Sequence, residues 1–316
     1  MKIKKEYLVL ILIIFALSGY LYFKSTDRLH YELPAVPHIV PGELTRMEIS
    51  SKDQGLSLVK KDEAWYLQPG DYPVDAKKVE AMLAVLKDLS ITEMVSESRN
   101  YLLYELDEES RITVKAYAGS SPVREFDIGK TAATYKHTYI RPAGDERVYH
   151  AKGSFRKDFE HTSADIRDKQ VLAFNKGEIQ SVKIAAAGTF TTINREDVPR
   201  DDPQQNTQAT AMDIQWKNQD GSPAEKETMD NLLNRLSTLS CKEYIEGRQK
   251  DEMGSPENTI VLSSGTRDYV LSLYAKDSGT APASSSRNDY VFILTAENLE
   301  EIETAVKKLM KASTEP

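Results

Sequence analysis

AWYLQPGDYPVDAKKVEAMLAVLKDLSITEMV, residues Ala64 to Val95, reads as a short aromatic strand, a turn of Pro, Gly and Asp, and one amphipathic helix. Val79, Met82, Leu83, Leu86 and Leu89 recur at helical spacing and share one stripe, while Lys77, Lys78, Glu80, Lys87 and Asp88 fall elsewhere. Asp75, just past Pro73, is the expected N-cap. The same design returns in MDIQWKNQDGSPAEKETMDNLLNRLSTLSCKEYI, Met212 to Ile245. There Met229, Leu232, Leu233, Leu236 and Leu239 each stand 150 positions after their counterparts, and Ser90 and Glu93 recur as Ser240 and Glu243.

The duplication extends to the strands. Val182-Lys183-Ile184 matches Met47-Glu48-Ile49, Thr192 to Arg195 matches Leu58 to Lys61, and Trp216 matches Trp65. A chain of 316 residues is long for one core, and two domains of about 100 to 150 residues are the default. The expected fold class is therefore α+β: an N-terminal transmembrane helix, then two tandem repeated modules of antiparallel strands packed with an amphipathic helix.

In the first module, alternating runs predict strands at Thr45 to Ser51, Leu56 to Lys61, Trp65 to Leu67, Ile112 to Ala118, Val123 to Ile128, Thr138 to Arg141 and Val148 to His150. A short helix is expected within Gly153 to Thr162. In the second, strands are expected at Thr259 to Leu262, Tyr269 to Tyr274 and Tyr290 to Leu294, and a helix at Ala296 to Met310. Ser222-Pro223-Ala224-Glu225 reads as a capped helix start. The polar stretch Glu196 to Thr210 and the run Thr280 to Arg287 read as surface loops. The expected organisation is residues 1–6 basic, 7–23 apolar span, 24–43 extended spacer, 44–162 first module, 163–177 linker, 178–310 second module and 311–316 tail.

Tyr7 to Phe23, YLVLILIIFALSGYLYF, carries no charge and follows the basic MKIKK. Seventeen residues rise about 26 Å, and Lys5 and Lys24 are placed to snorkel outward, so an uncleaved membrane anchor is expected. The basic residues before it outnumber those after it, which puts the N-terminus in the cytoplasm and the rest outside a bacterial inner membrane, in the periplasm or extracytoplasmic space. His30 to Pro41, HYELPAVPHIVP, is the Pro-punctuated spacer. Tyr20 stands where a lipoprotein needs cysteine, which excludes lipid attachment there.

The formal net charge is −8, and the chain after residue 28 holds 36 basic against 47 acidic residues, a charge of −11. An acidic body without a basic stripe argues against nucleic acid as a partner. The single cysteine, Cys241, permits no internal disulfide and reads as a packed apolar side chain.

No chemical motif is complete. Gly129-Lys130-Thr131 looks like the end of a phosphate-binding loop, but Arg124 occupies the position of the earlier glycine, so nucleotide binding is not expected. His161, Asp165 and Asp168 would share a helix face, yet Thr162-Ser163 reads as a break or new cap between them. Nucleophile and zinc-protease signatures are missing, and the paired carboxylates stand in charge runs. No catalytic residue, cofactor or metal is expected. The one candidate ligand or interaction cluster is Tyr135, His137, Tyr139, Arg141 and His150, on two adjacent strands, a set suited to an anionic ligand or to cross-strand packing.

Tyr104-Glu105-Leu106-Asp107, Phe126-Asp127-Ile128-Gly129-Lys130 and Arg167-Asp168-Lys169-Gln170-Val171-Leu172, with the AWYL strand and the apolar N-terminus, resemble the bacterial domain-of-unknown-function 4340 family over about residues 40 to 310. Members often carry Gly where this chain has Glu105. The resemblance implies a single-span membrane protein associated with ABC-type transport components, and it brings no catalytic set. The expected function is a non-enzymatic, membrane-anchored accessory or assembly protein of a membrane complex, with an ABC-type permease or auxiliary subunits as partner. The alternatives are a ligand-binding module using a cleft between the repeats and, behind it, an envelope hydrolase.

Overall fold

A computed structural model of the chain describes residues 5–24, 31–199, 212–276 and 281–312. The chain divides into two compact units, residues 1–167 and 168–316. In the first, a nine-stranded antiparallel sheet is built from β1 (Arg46–Ser50), β2 (Gly55–Lys61), β3 (Ala64–Gln68), β4 (Tyr72–Pro73), β5 (Ile91–Ser96), β6 (Ile112–Ala118), β7 (Ser121–Thr131), β8 (His137–Pro142) and β9 (Val148–Lys152). Their spatial order is β4-β3-β2-β1-β6-β7-β8-β9-β5. A 20-residue helix α1 (Lys5–Lys24) precedes them, and α2 (Ala76–Asp88), α3 (Arg156–Phe159) and α4 (Ser163–Ile166) complete the unit.

The second unit repeats the plan with eight strands: β10 (Ser181–Ala186), β11 (Thr189–Pro199), β12 (Met212–Asn218), β13 (Glu243–Gln249), β14 (Asn258–Ser263), β15 (Asp268–Leu273), β16 (Pro282–Ser285) and β17 (Tyr290–Ile293). Their order, β12-β11-β10-β14-β15-β16-β17-β13, follows that of the first sheet strand for strand once β4 is set aside. Helix α5 (Lys226–Leu236) corresponds to α2, and α6 (Ala296–Ala312) closes the unit.

Both modules owe this plan to their helix. Val79, Met82 and Leu86 of α2 are buried against Met47, Leu58, Val114, Ile128 and Ile140, and Leu83 and Leu89 pack at the margin. In α5, Met229, Leu232, Leu233 and Leu236 do the same against Val182, Ile193, Ile260, Leu271 and Phe292. Burying each such side chain contributes about 1.5–3 kcal/mol, so the helical stripe ties the strands into one core. Each helix also carries the chain to the far edge of its sheet, which is why β5 and β13 pair with β9 and β17. Neither edge strand is evident in the sequence, because their exposure patterns lack clean alternation.

Several expectations are corrected. Helix α5 begins at Lys226 with Glu225 as its N-cap position, not at Ser222. The Ala224 amide is held instead by the Trp216 carbonyl at 2.8 Å, as Val74 is by Trp65 at 3.4 Å, so Ser222 and Pro223 belong to the strand-to-helix turn. Asp75 caps α2 as expected, accepting from the Lys77 amide at 2.9 Å. Residues 196–199 of the expected loop extend β11 and pair with β12, while 200–210 lie outside the described residues. Pro282–Ser285 is a buried strand rather than a loop, since β15 and β17 flank it on both sides.

The expected linker, 163–177, contains the division between the two units and carries buried side chains. Thr162 caps α4 through the Asp165 amide in a reciprocal capping box, and Ile166, Val171 and Leu172 are buried. The spacer is docked over its described part: the Tyr31 hydroxyl accepts from the Met94 amide at 2.8 Å and Ile39 joins the core. Buried Arg124 donates to the carbonyls of Leu86 and Pro37. Side chains of α1 are described for residues 11–21, and among the described residues no helix is long and apolar enough to cross a membrane. The span of residues 7–23 remains an expectation from the sequence.

Candidate functional site

Alternation along β8 turns Thr138 and Ile140 into the core and His137, Tyr139 and Arg141 outward, and pairing with β9 sets His150 opposite Tyr139. Four of the five cluster residues thus meet on the outer face of the first sheet. The His137 and His150 rings stack with centroids 5.1 Å apart, and Tyr139 lies 4.7 Å from His150. Tyr135 does not join them. It occupies the turn between β7 and β8 at φ 57°, 78% exposed.

The structure adds partners that span five strands. Asp127 on β7 takes Arg141 through Nε at 3.0 Å and Nη2 at 2.5 Å, and its other oxygen accepts from Thr113 of β6 at 2.6 Å. Tyr101 lies over the Arg141 guanidinium at 4.7 Å, and Tyr104 packs on Tyr139 at 4.9 Å. At the other end, His150 Nδ1 meets Glu93 of β5 at 2.6 Å. The row therefore runs Thr113, Asp127, Arg141, Tyr139, His150, Glu93, capped by the 3-10 turn Tyr101–Tyr104.

What this row can do follows from its saturation. Both oxygens of Asp127 are engaged and Arg141 is covered by a ring, which leaves no free carboxylate there for proton transfer. The open capacity lies at the histidine end, where the buried Nε2 of His150 has no hydrogen-bond partner among the described residues. The arrangement suits holding the crossing segment, residues 97–111, onto the sheet. Gly129 is the seat of that segment: a Cβ there would lie 2.2 Å from the Tyr104 carbonyl oxygen and 2.9 Å from Leu106 Cγ.

Sequence reasoning missed Thr113, Asp127, Glu93, Tyr101 and Tyr104 as members of the row. Their signal was present: Asp127 with Gly129, and Tyr104 with Leu106, belong to two short motifs that are far apart in sequence and meet here. The third motif fastens strands and helices elsewhere. Arg167 stacks on Tyr72 at 3.7 Å, Asp168 pairs with Arg287 at 3.0 Å, and Val171 donates to the Leu239 carbonyl at 2.8 Å.

His161, Asp165 and Asp168 do not share a helix, because α4 starts after Thr162 and ends at Ile166. Burial, and then Lys78, lowers the pKa of His161, while burial raises that of Asp158. Among the described residues no group of three or more metal-ligating side chains is positioned to hold an ion. In the second module a groove of about 890 Å³ runs between α5 and α6, bridged by Arg235, which pairs with Glu297 at 3.7 Å and with Glu301.

No curated protein and no solved structure matches the chain significantly. The model of one family, described as a domain of unknown function (DUF4340), matches residues 65–258, from the first aromatic strand to the start of β14. That match covers both repeated helices and the two motifs that meet at Gly129, and the chain belongs to the DUF4340 family.

Proposed function

We propose that this protein is a membrane-anchored accessory or assembly protein, held by residues 7–23 in a bacterial inner membrane and presenting two sheet modules to a membrane complex on the extracytoplasmic side. The observation that carries the reading is α1. Ile11, Leu12, Ile13, Ile14, Phe15, Leu17 and Leu21 are each between 49% and 75% exposed, on every side of the helix. A helix that is apolar all round belongs in a core or in a bilayer. The span itself is read from the sequence: residues 7–23 rise about 26 Å, with Lys5 and Lys24 placed to snorkel outward.

The saturated row on the first sheet supports a scaffolding role over a catalytic one, because its charged groups are spent on holding protein to protein. The family resemblance adds an ABC-type transport complex as the expected partner. The test is in-cell crosslinking of the full-length protein, purification in mild detergent and identification of what accompanies it. Stoichiometric recovery of permease or ATPase subunits is expected. Recovery of the protein alone, its release from membranes by alkaline carbonate, or turnover of a substrate at an enzymatic rate would overturn the reading.

A further inference from the structure

The strands β5 and β6 are joined by residues 97–111, whereas β13 and β14 of the second module need only 250–257. The extra length holds the 3-10 turn Tyr101–Tyr104. Side chains three apart on such a turn point the same way, so the pinning of Tyr101 by Arg141 and of Tyr104 by Tyr139 turns Leu102 and Leu103 outward. They are 74% and 58% exposed. Because Gly129 lets the Tyr104 carbonyl sit against the sheet, this leucine pair is displayed on a seated turn rather than on a loose loop.

Charge and tether length say what it meets. Within 97–111, Glu97, Glu105, Asp107, Glu108 and Glu109 stand against Arg99 and Arg111; Lys52 pairs with Glu109, Arg156 with Glu105 at 3.8 Å and Arg99 with Glu146, which leaves a net acidic surplus around the pair. Such an acidic collar is repelled by an anionic lipid surface and attracted to a basic protein surface. Tyr31 is fastened to Met94 of the edge strand β5, about two strand spacings or ~10 Å from β8 beneath the turn. Residues 25–30, between α1 and the docked spacer, reach at most ~21 Å. An anchored chain therefore holds the turn within ~40 Å of the end of α1.

We propose that Leu102 and Leu103 are the docking point for the membrane partner, inserted into an apolar notch of that protein bordered by Lys or Arg. This rests on the accessory reading and names its contact surface. The experiment repeats the detergent co-purification with full-length L102S/L103S, with F190S as control, since Phe190 of the second module is also 62% exposed. At least a tenfold loss of recovered partner is expected for the double variant, with unchanged thermal melting and unchanged recovery for F190S. Equal recovery with L102S/L103S overturns this inference alone, whereas no partner with the wild-type chain overturns the accessory reading beneath it. A photo-crosslinking p-benzoylphenylalanine in place of Leu103, which leaves the turn's anchors intact, is expected to join the same partner. Crosslinks to lipid, or none, overturn the proposal independently of how the double variant folds.

Discussion

The two modules share their register, yet the outer faces of their sheets differ at four of the six positions of the polar row, only the terminal Thr and Glu being kept. Following the pairing, Thr113, Asp127, Arg141, Tyr139, His150 and Glu93 of the first module correspond to Thr259, Ser272, Ser284, Pro282, Ile293 and Glu243 of the second. Their cores correspond as well: Ile49 and Ile184, Val114 and Ile260, Tyr149 and Phe292 occupy equivalent places. The duplication therefore keeps what folds the chain, while the Asp127–Arg141 pair and the rings stacked on its row have no counterpart at the equivalent positions of the second module. The reason is visible at Gly129, whose counterpart by register is Tyr274. In the second module that ring covers the sheet and its hydroxyl lies 3.0 Å from Ser284; in the first, the segment 97–111 takes the space.

The sharpest way to break this comparison is to remove the ion pair. Asp127→Ala leaves Arg141 and Thr113 without their acceptor in a site where the side chains are 12% and 21% exposed for the acid and the Arg. About 3 kcal/mol of destabilisation is expected, confined to the first module. Ser272→Ala at the equivalent position is expected to cost less than ~0.5 kcal/mol. The two tryptophans make this readable, since Trp65 belongs to the first module and Trp216 to the second. In single-tryptophan backgrounds, denaturant unfolding should shift for the Trp65 reporter only. Equal shifts in both would show that the modules are not independent in stability.

A second test addresses the seat of the crossing segment. Gly129→Ala brings a methyl against a backbone oxygen, which cannot move without lifting the turn, and ~2 kcal/mol is the expected cost. Proteolysis within 97–111 should accelerate along with it. Unchanged cleavage would mean that the segment is held by the Arg141 and Tyr139 stacks alone.

The pair Tyr149 and Phe292 supplies a pH test. Burial, then the hydrogen bond to Asp145 at 2.7 Å, raises the Tyr149 pKa to about 12, and Arg147 in turn lowers that of Asp145 to about 2. With a folded pKa above the unfolded value of 10.0, the neutral phenol stabilises the first module fully below pH 10, and that stability is lost as pH rises from 10 toward 12. Tyr149→Phe should remove this part of the alkaline loss, as read by Trp65. The Trp216 signal, reporting a module with Phe292 in that place, should not change. An identical alkaline profile for Tyr149→Phe would show that the phenol is ionised in the folded state as readily as in the unfolded one.

Legibility in the sequence follows the same division. The helical stripes and the alternating strands near them are local patterns, so the repeat, the α+β class and most strands can be read directly. The edge strands β5 and β13 hide because an edge strand with irregular pairing needs no alternation. Pro282–Ser285 hides because buried Ser and Ala resemble a loop by composition and become a strand only between two neighbours. At the site, His137, Tyr139, Arg141 and His150 are legible because they lie two apart on strands already recognised. Asp127 and Glu93 are not, since what joins them to that row is sheet order, which spacing within one strand does not contain. Tyr135 was misplaced for the opposite reason: it continues the alternation of β8 backwards, but the strand ends at His137 and the turn carries it away.

The smallest expected effect lies at Glu105, where the comparison with the family becomes physical. The residue closes the 3-10 turn at φ 55° and ψ 39°, in the left-handed region that favours glycine, and family resemblance places Gly there in many members. Holding a side chain in that region costs about 1–3 kcal/mol, while glycine adds ~0.5–1 kcal/mol of backbone entropy in the unfolded chain. The Glu105 carboxylate faces Arg156 at 3.8 Å with nearly half its surface in water, an ion pair that returns little. Glu105→Gly should therefore stabilise the first module by ~0.5–1 kcal/mol. Glu105→Ala, which keeps the Cβ and drops the ion pair, should be neutral or slightly destabilising by the same Trp65 readout. If alanine gained as much as glycine, backbone strain would not be the cause, and the reason would have to be sought in the acidic collar around Leu102 and Leu103.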